Sequence, residues 1–292
     1  MNSNMMRVVA IRPPTYLLPI SLLLFFTCTL SNRHLIPTVH ATDWDVLIFT
    51  QNWPVSVCLS WEIKGKNHTC LPTQSNSFWT IHGIWPTKFG TIGPTFCNTS
   101  NHFNPQGIYG IEKELENVWA PIEKHKNKYA FWKHEWEKHG TCAAKLEEFS
   151  TEFDYFRKGI QWHKEYDMVK ILDKAGVIPG KSQNITEVWN SVKQVLGKNP
   201  FLSCFTHPST KTAYLLEVRI CFDKNLTLVN CDGIKKRCGK KCGENNLIEC
   251  PTTKLVEFPL AYPYPPPAFA NQKRHYLFDI LRFLQLVSWM TS

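Results

Sequence analysis

The chain has 292 residues, 43% of them hydrophobic, and its 33 Lys and Arg outnumber 24 Asp and Glu to give a net charge of +9. Set aside the first forty or so residues and that apolar content is still ample for one sizeable core, which excludes a chain unable to bury one. The positive balance suits a polyanionic partner without identifying it.

Residues 1–41 read as a signal peptide. Arg7 and Arg12 supply a positive start, and 16–30 form an apolar stretch too short and too interrupted by proline for a comfortable membrane span. Val39-His40-Ala41 offers a small-residue cleavage site, with Ser31 the alternative nearer the apolar stretch. Cleavage after Ala41 removes Arg7, Arg12 and Arg33 and no acid, so 30 basic residues then face 24 acidic ones and the net charge falls to +6. Strands are expected at 46–50 and 78–82, the second ending in a turn at Gly83 and Pro86. Helical patterns follow at 111–119, 128–139, 147–160, 166–175 and 186–196, two of them stopped by Gly176 and Gly197. A further strand at 213–221 turns at 223–225 into 226–231 as a hairpin. Strands and helices alternate without a regular βαβ rhythm, and no internal repeat is evident. The expectation is an α+β domain over 42–267 with a mostly antiparallel sheet. In the tail, 268–292, polar residues recur every third position at Asp279, Arg282, Gln285 and Ser288. That pattern reads as an amphipathic helix open to membrane or protein contact.

The densest chemistry lies from Phe131 to Cys142, Phe-Trp-Lys-His-Glu-Trp-Glu-Lys-His-Gly-Thr-Cys. On a helix, residues four apart share a face, so His134 pairs with Lys138 and Glu135 with His139, while Trp132 and Trp136 point into a core. A solvated surface helix carries such pairs as well. The zinc-protease pattern requires imidazoles four apart, whereas His134 and His139 are five apart and expected on diverging faces, so no metal is expected. A second site lies upstream, where Trp79 to Ile81 read as a strand that delivers His82 just before Gly83.

Together, His82-Gly83-Ile84-Trp85-Pro86 and the later Lys-His-Glu-Trp-Glu-Lys-His-Gly-Thr-Cys resemble the two active-site signatures of the ribonuclease T2 family, in the family's order. The resemblance runs from about Trp44 to Pro267, with Trp53-Pro54 before Cys58 and Tyr264-Pro265-Pro266-Pro267 near its end. It implies an endoribonuclease that cleaves single-stranded RNA through a 2′,3′-cyclic phosphate, with low base specificity, an acidic optimum and no cofactor. RNA carries its own nucleophile, the ribose 2′-hydroxyl. A base must take that proton while an acid protonates the departing 5′-oxygen, and imidazole can fill either role. DNA, lacking the 2′-hydroxyl, cannot react this way.

By resemblance His139 is the base and His82 the acid, with roles reversed if the cyclic phosphate is then hydrolysed. Lys138 is assigned to the charge that builds on the phosphoryl oxygens. His134 binds phosphate as imidazolium, and Glu135 orients His139 or polarises the phosphoryl group. Trp85 offers a face for a base to stack on. Thr87 departs from several fungal members, which have an acidic residue there that reads the base, so base preference is left open.

Of eleven cysteines, Cys28 lies in the leader, leaving ten, an even number suited to an oxidising compartment. The family pattern implies Cys58 with Cys70, Cys97 with Cys142, Cys204 with Cys250 and Cys221 with Cys231, leaving Cys238 and Cys242 as a local pair. The basic run 235–242 around that pair reads as a solvated loop, with distal phosphates or acidic glycans as alternative contacts. Four sequons, at Asn67, Asn98, Asn184 and Asn225, fit an exported glycoprotein. The expected protein is a secreted monomer, with lysosome, endosome or endoplasmic reticulum lumen as alternative locations, and with no obligate protein partner. The rival reading is a secreted glycoprotein effector or binding protein on the same scaffold.

Overall fold

A computed structural model of the chain describes residues 43–65, 67–71, 79–91, 93–124, 127–234 and 247–260. The leader 1–41, Phe78, the Cys238–Cys242 pair with its basic run, the Tyr264–Pro267 segment and the tail 268–292 lie outside the described residues.

In chain order the elements are strand β1, Val46–Asn52; helix α1, Pro54–Lys64; strand β2, Thr80–Thr87; helix α2, Glu112–Val118; and helix α3, Ala130–Glu135. A π-helical turn, Trp136–Gly140, follows α3 directly and closes in a short α-turn at Thr141–Ala143. Then come α4, Glu152–Glu165; α5, Met168–Lys174; β3, Ser182–Asn184; α6, Ile185–Leu196; β4, Phe201–Thr206; β5, Ala213–Phe222; β6, Leu228–Val229; β7, Ile248–Glu249; and β8, Leu255–Glu257. This is the expected α+β arrangement. The sheet runs β2-β1-β5-β4-β7, with β6 and β8 also on β5. Its pairings are antiparallel except β4 with β7 and β5 with β8. The expected hairpin forms, Cys221 facing Val229 and Phe222 facing Leu228.

Both faces of the sheet are covered, which is why every residue of β1 is buried. Strand side chains alternate, so Val46 and Ile48 enter one core with Trp53, Trp79 and residues of α5 and α6. Leu47 and Phe49 enter the other, with Trp119, Trp132, Trp136, Tyr155 and Phe156. The second core carries α3 and the π-helical turn, while Trp85 packs against the first. The aromatic side chains of the second core also satisfy backbone: Trp132 donates to the Trp119 carbonyl at 2.8 Å, and the Tyr155 hydroxyl donates to the Ile84 carbonyl at 3.0 Å.

Several elements differ from the sequence reading. The single helix expected over 147–160 is a 3-10 turn, Glu147–Phe149, and then α4, because the Thr151 side chain accepts from the Asp154 N–H and starts a new helix. The second expected strand does not stop at Gly83 but continues to Thr87. Helix α1 and strand β4 were not expected. The four implied disulfides within the described residues, Cys58–Cys70, Cys97–Cys142, Cys204–Cys250 and Cys221–Cys231, are all formed.

Gly159 of α4 lies directly against the Trp119 ring, and a Cβ there would overlap it. Overpacking costs about 1–3 kcal/mol, which outweighs the ~1 kcal/mol that alanine gains over glycine in a helix. Gly159→Ala is therefore expected to lower the urea midpoint, and an unchanged or raised midpoint would contradict this packing.

Candidate active site

His82 owes its position to a bulge. Along β1 and β2, Thr50 faces Gly83 and Gln51 faces Ile81, so His82 is the extra residue that has no partner across the ladder. In a regular strand His82 and Trp85, three apart, would point to opposite faces. The extra residue turns both to the same side, with ring centroids 4.9 Å apart. The carbonyl of His82 accepts from the indole of Trp119 at 2.9 Å.

The second group stands on α3 and the π-turn. Trp132 and Trp136 are buried as expected, but the expected geometry of the histidines is corrected. The N–H of Thr141 reaches back five residues to the Trp136 carbonyl, widening the turn. Residues five apart then share a face, and the rings of His134 and His139 lie 6.2 Å apart. His134, Glu135 and His139 present ligand atoms within 4.8 Å of one another. The three are therefore close enough together to act on one ligand.

Glu135 is buried, and its Oε2 accepts from the indole Nε1 of Trp85 at 3.0 Å. Gly83 makes that contact possible, since any Cβ at this position would overlap both the carboxylate and the indole nitrogen. Burial pushes the Glu135 carboxyl up to about 7, against the opposing effects of His82, Trp85 and Lys138. Burial, with Lys138, His134 and His82 nearby, pulls His139 down to about 2. The Nδ1 of His139 is buried without a hydrogen-bond partner among the described residues. His134 is also pulled down, by burial, Lys138 and His82, a direction that works against the expected imidazolium.

The opposite holds for His82. Burial alone would depress it, but the carboxylate of Glu217 accepts from its Nδ1 at 2.7 Å, and with Glu135 it outweighs burial and Arg219 to raise the pKa. Glu217, on β5, was missed by the sequence reading. It is buried and also receives Arg219 through Nε at 3.0 Å and the terminal nitrogen at 2.6 Å. Burial would raise its pKa, but Arg219 and His82 bring it down to about 2. The signal in the sequence was a Glu and an Arg two residues apart, hence on one strand face, inside an otherwise apolar run.

A cleft of 430 Å³ opens on this group, walled by His82, Phe131, His134, Glu135, Glu217 and Asn52 among others. Trp85, Lys138 and His139 are not part of its wall. Trp85 instead stands between the two histidines, 4.9 Å from His82 and 5.5 Å from His139 by ring centroid. Lys138 is half-buried, and its carbonyl accepts from the N–H of Phe96, next to the Cys97–Cys142 bridge. Among the sequons, Asn67, Asn98 and Asn225 are exposed, while half-buried Asn184 caps α6 through its side-chain oxygen.

A mixed sheet covered by helices and stapled by disulfides thus brings two histidines to either side of one tryptophan, beside a buried glutamate. The model of the ribonuclease T2 family matches residues 44–231. Ribonuclease Oy of Magallana gigas is 34% identical over 194 residues, covering 65% of this chain and 88% of that one. Ribonuclease T2 of Danio rerio is 33% identical, covering 65% of this chain and 74% of that one. The solved structure of human RNase T2 is 28% identical with a TM-score of 0.57, covering 74% of this chain and 98% of that one. The chain belongs to the ribonuclease T2 family and is an endoribonuclease of that type.

The pKa of Glu135 carries a stability consequence. The native state holds this proton more tightly than the unfolded chain, so stability falls as pH rises from the ordinary value of 4.5 to about 7. Glu135→Gln, which cannot ionise, is expected to exceed the native protein in stability by up to about 3 kcal/mol above neutrality and to converge with it in acid. Urea titrations at the two extremes check this, and an equal difference at both would contradict it.

Proposed function

We propose that the chain cleaves single-stranded RNA by transphosphorylation, with His139 as base and His82 as acid. His139 takes the 2′-hydroxyl proton, the 2′-oxygen bonds to phosphorus, and the bond to the 5′-oxygen breaks as His82 protonates it. The products are a 2′,3′-cyclic phosphate and a free 5′-hydroxyl. Water added with the roles reversed would open the cyclic phosphate. The observation that carries the reading is the unlike setting of two imidazoles around one tryptophan: His82 is hydrogen-bonded to the Glu217 carboxylate, which raises its pKa, while His139 is buried with an unpartnered Nδ1 among the described residues and is pulled down.

Lys138 meets the charge that develops on the phosphoryl oxygens, and the substrate's anion offsets the cationic depression of His134 and His139. Glu135, held by Trp85, faces the same phosphate and adds to its polarisation in the protonated form. The part of Trp85 left exposed is offered to a base. No metal takes part. Activity requires protonated His82, so it is expected to fall as pH rises through that group's elevated pKa, giving an optimum on the acid side.

Export supports the same reading. Ten cysteines remain beyond the leader, and a relative 30% identical over 217 residues is named extracellular ribonuclease LE of Solanum lycopersicum. No helix among the described residues is long and apolar enough to cross a membrane. We assign residues 1–41 to a leader, 42–267 to the catalytic domain and the tail to a separate extension, in a secreted, glycosylated monomer.

Digestion of a defined RNA with a chelator present tests the proposal. His82→Ala and His139→Ala are each expected to lose about 100-fold or more, and native cleavage is expected to leave cyclic-phosphate ends. Undiminished cleavage by either variant, or activity abolished by the chelator, would overturn it.

A further inference from the structure

We infer that Glu217 is the positioning residue for the catalytic acid, and that Arg219 is the counter-ion that lets a buried carboxylate serve in that capacity. The inference deepens the two-histidine reading and rests on it.

The geometry is specific. Glu217 divides its two oxygens: Oε1 meets His82 Nδ1 at 2.7 Å, and Oε2 takes both Arg219 contacts at 3.0 and 2.6 Å. With Nδ1 committed, only Nε2 of His82 is free to face the cleft. The proton on Nδ1 is fixed by Glu217, and the proton that leaves is the one on Nε2. Arg219 is fixed in turn, its guanidinium 5.2 Å from the Trp85 ring centroid and 5.0 Å from that of Phe201. The chain of contacts therefore runs from Phe201 through Arg219 and Glu217 to His82, and laterally to Trp85.

A buried carboxylate without a cation would take up a proton rather than remain charged. Arg219 prevents that, and the side chain of Glu217 is only 6% exposed. The side chain of His82, 34% exposed, is open on the cleft side. Other titratable groups surround it: Glu135 from α3 acts on His82 directly, His82 in turn acts on His134 and His139, Lys138 acts on both of those histidines, and Lys64 and Glu123 line the same cleft. Only Glu217 makes a hydrogen bond to the ring among the described contacts, and it favours the imidazolium, in line with the raised pKa of His82. Glu217 itself neither gains nor loses a proton during the reaction.

The test separates charge from orientation. Glu217→Gln can still accept from Nδ1–H through its amide oxygen but carries no charge, whereas Glu217→Asp keeps the charge and shortens the reach. For Glu217→Gln the basic limb of the kcat/KM pH profile is expected to move to lower pH, with kcat at neutral pH falling about 10- to 100-fold and KM little changed. Glu217→Asp is expected to restore part of the limb. A purely structural role would lower the melting temperature and leave the limb where it is, and that result would overturn the inference. Should the variants fail to fold, NMR titration of the native chain decides: His82 is expected to titrate above 6.5, its ordinary value, and His134 below it, whereas His82 titrating at or below His134 would overturn the inference. His82→Ala separates the two levels. If that variant is inactive while Glu217→Gln keeps the native limb, this inference fails and the two-histidine reading stands; if His82→Ala is fully active, the reading itself fails.

Discussion

A regular β2 would send His82 and Trp85 to opposite faces; the extra residue opposite Thr50 and Gln51 turns both to the same side. Everything else at the site accommodates that irregularity. Trp119 binds the carbonyl that the ladder leaves out, Gly159 makes room for Trp119, and Gly83 lets Glu135 and Trp85 meet across the strand. The bulge is the constraint that makes the two histidines neighbours of one tryptophan. Because Trp119 is wholly buried, the bulge is braced by the same core that stabilises the fold.

The second irregularity is the π-turn, which is to α3 what the bulge is to β2. Each inserts one residue into a regular repeat and re-aims a histidine. Between them lie two buried carboxylates with opposite electrostatics. Glu217 has Arg219 and His82 for partners and stays ionised; Glu135 accepts an indole N–H, and burial pushes it toward the protonated form against His82 and Lys138. One raises the pKa of His82, while the other is poised to change charge near neutrality. Burial of the Glu135 carboxylate opposes folding at neutral pH, since desolvation outweighs the indole hydrogen bond and the nearby cations.

The sequence made the two motifs legible because their residue types carry chemistry wherever they sit. Trp132 and Trp136 were correctly placed in a core from spacing alone, and the four described disulfides follow the family pattern. The relation of His134 to His139 was misread because a 3.6-residue period was applied where the backbone adopts a wider turn, and no residue in Trp-Glu-Lys-His-Gly announces that turn. Helix α1 was overlooked because its Val, Ser and Ile residues favour a helix weakly; Pro54 at its first position was the available signal. Glu217 escaped notice because its importance comes from a strand pairing far along the chain, which brings β5 beside β1 and hence near β2.

The assignment of His82 as acid and His139 as base is tested most directly by replacing the departing 5′-oxygen of a single scissile phosphate with sulfur. A thiolate leaves without needing a proton, so the acid becomes dispensable while the base does not. Cleavage of that RNA by His82→Ala should recover to near the native rate, with His139→Ala remaining slow. Recovery by His139→Ala, or by neither variant, would contradict the account.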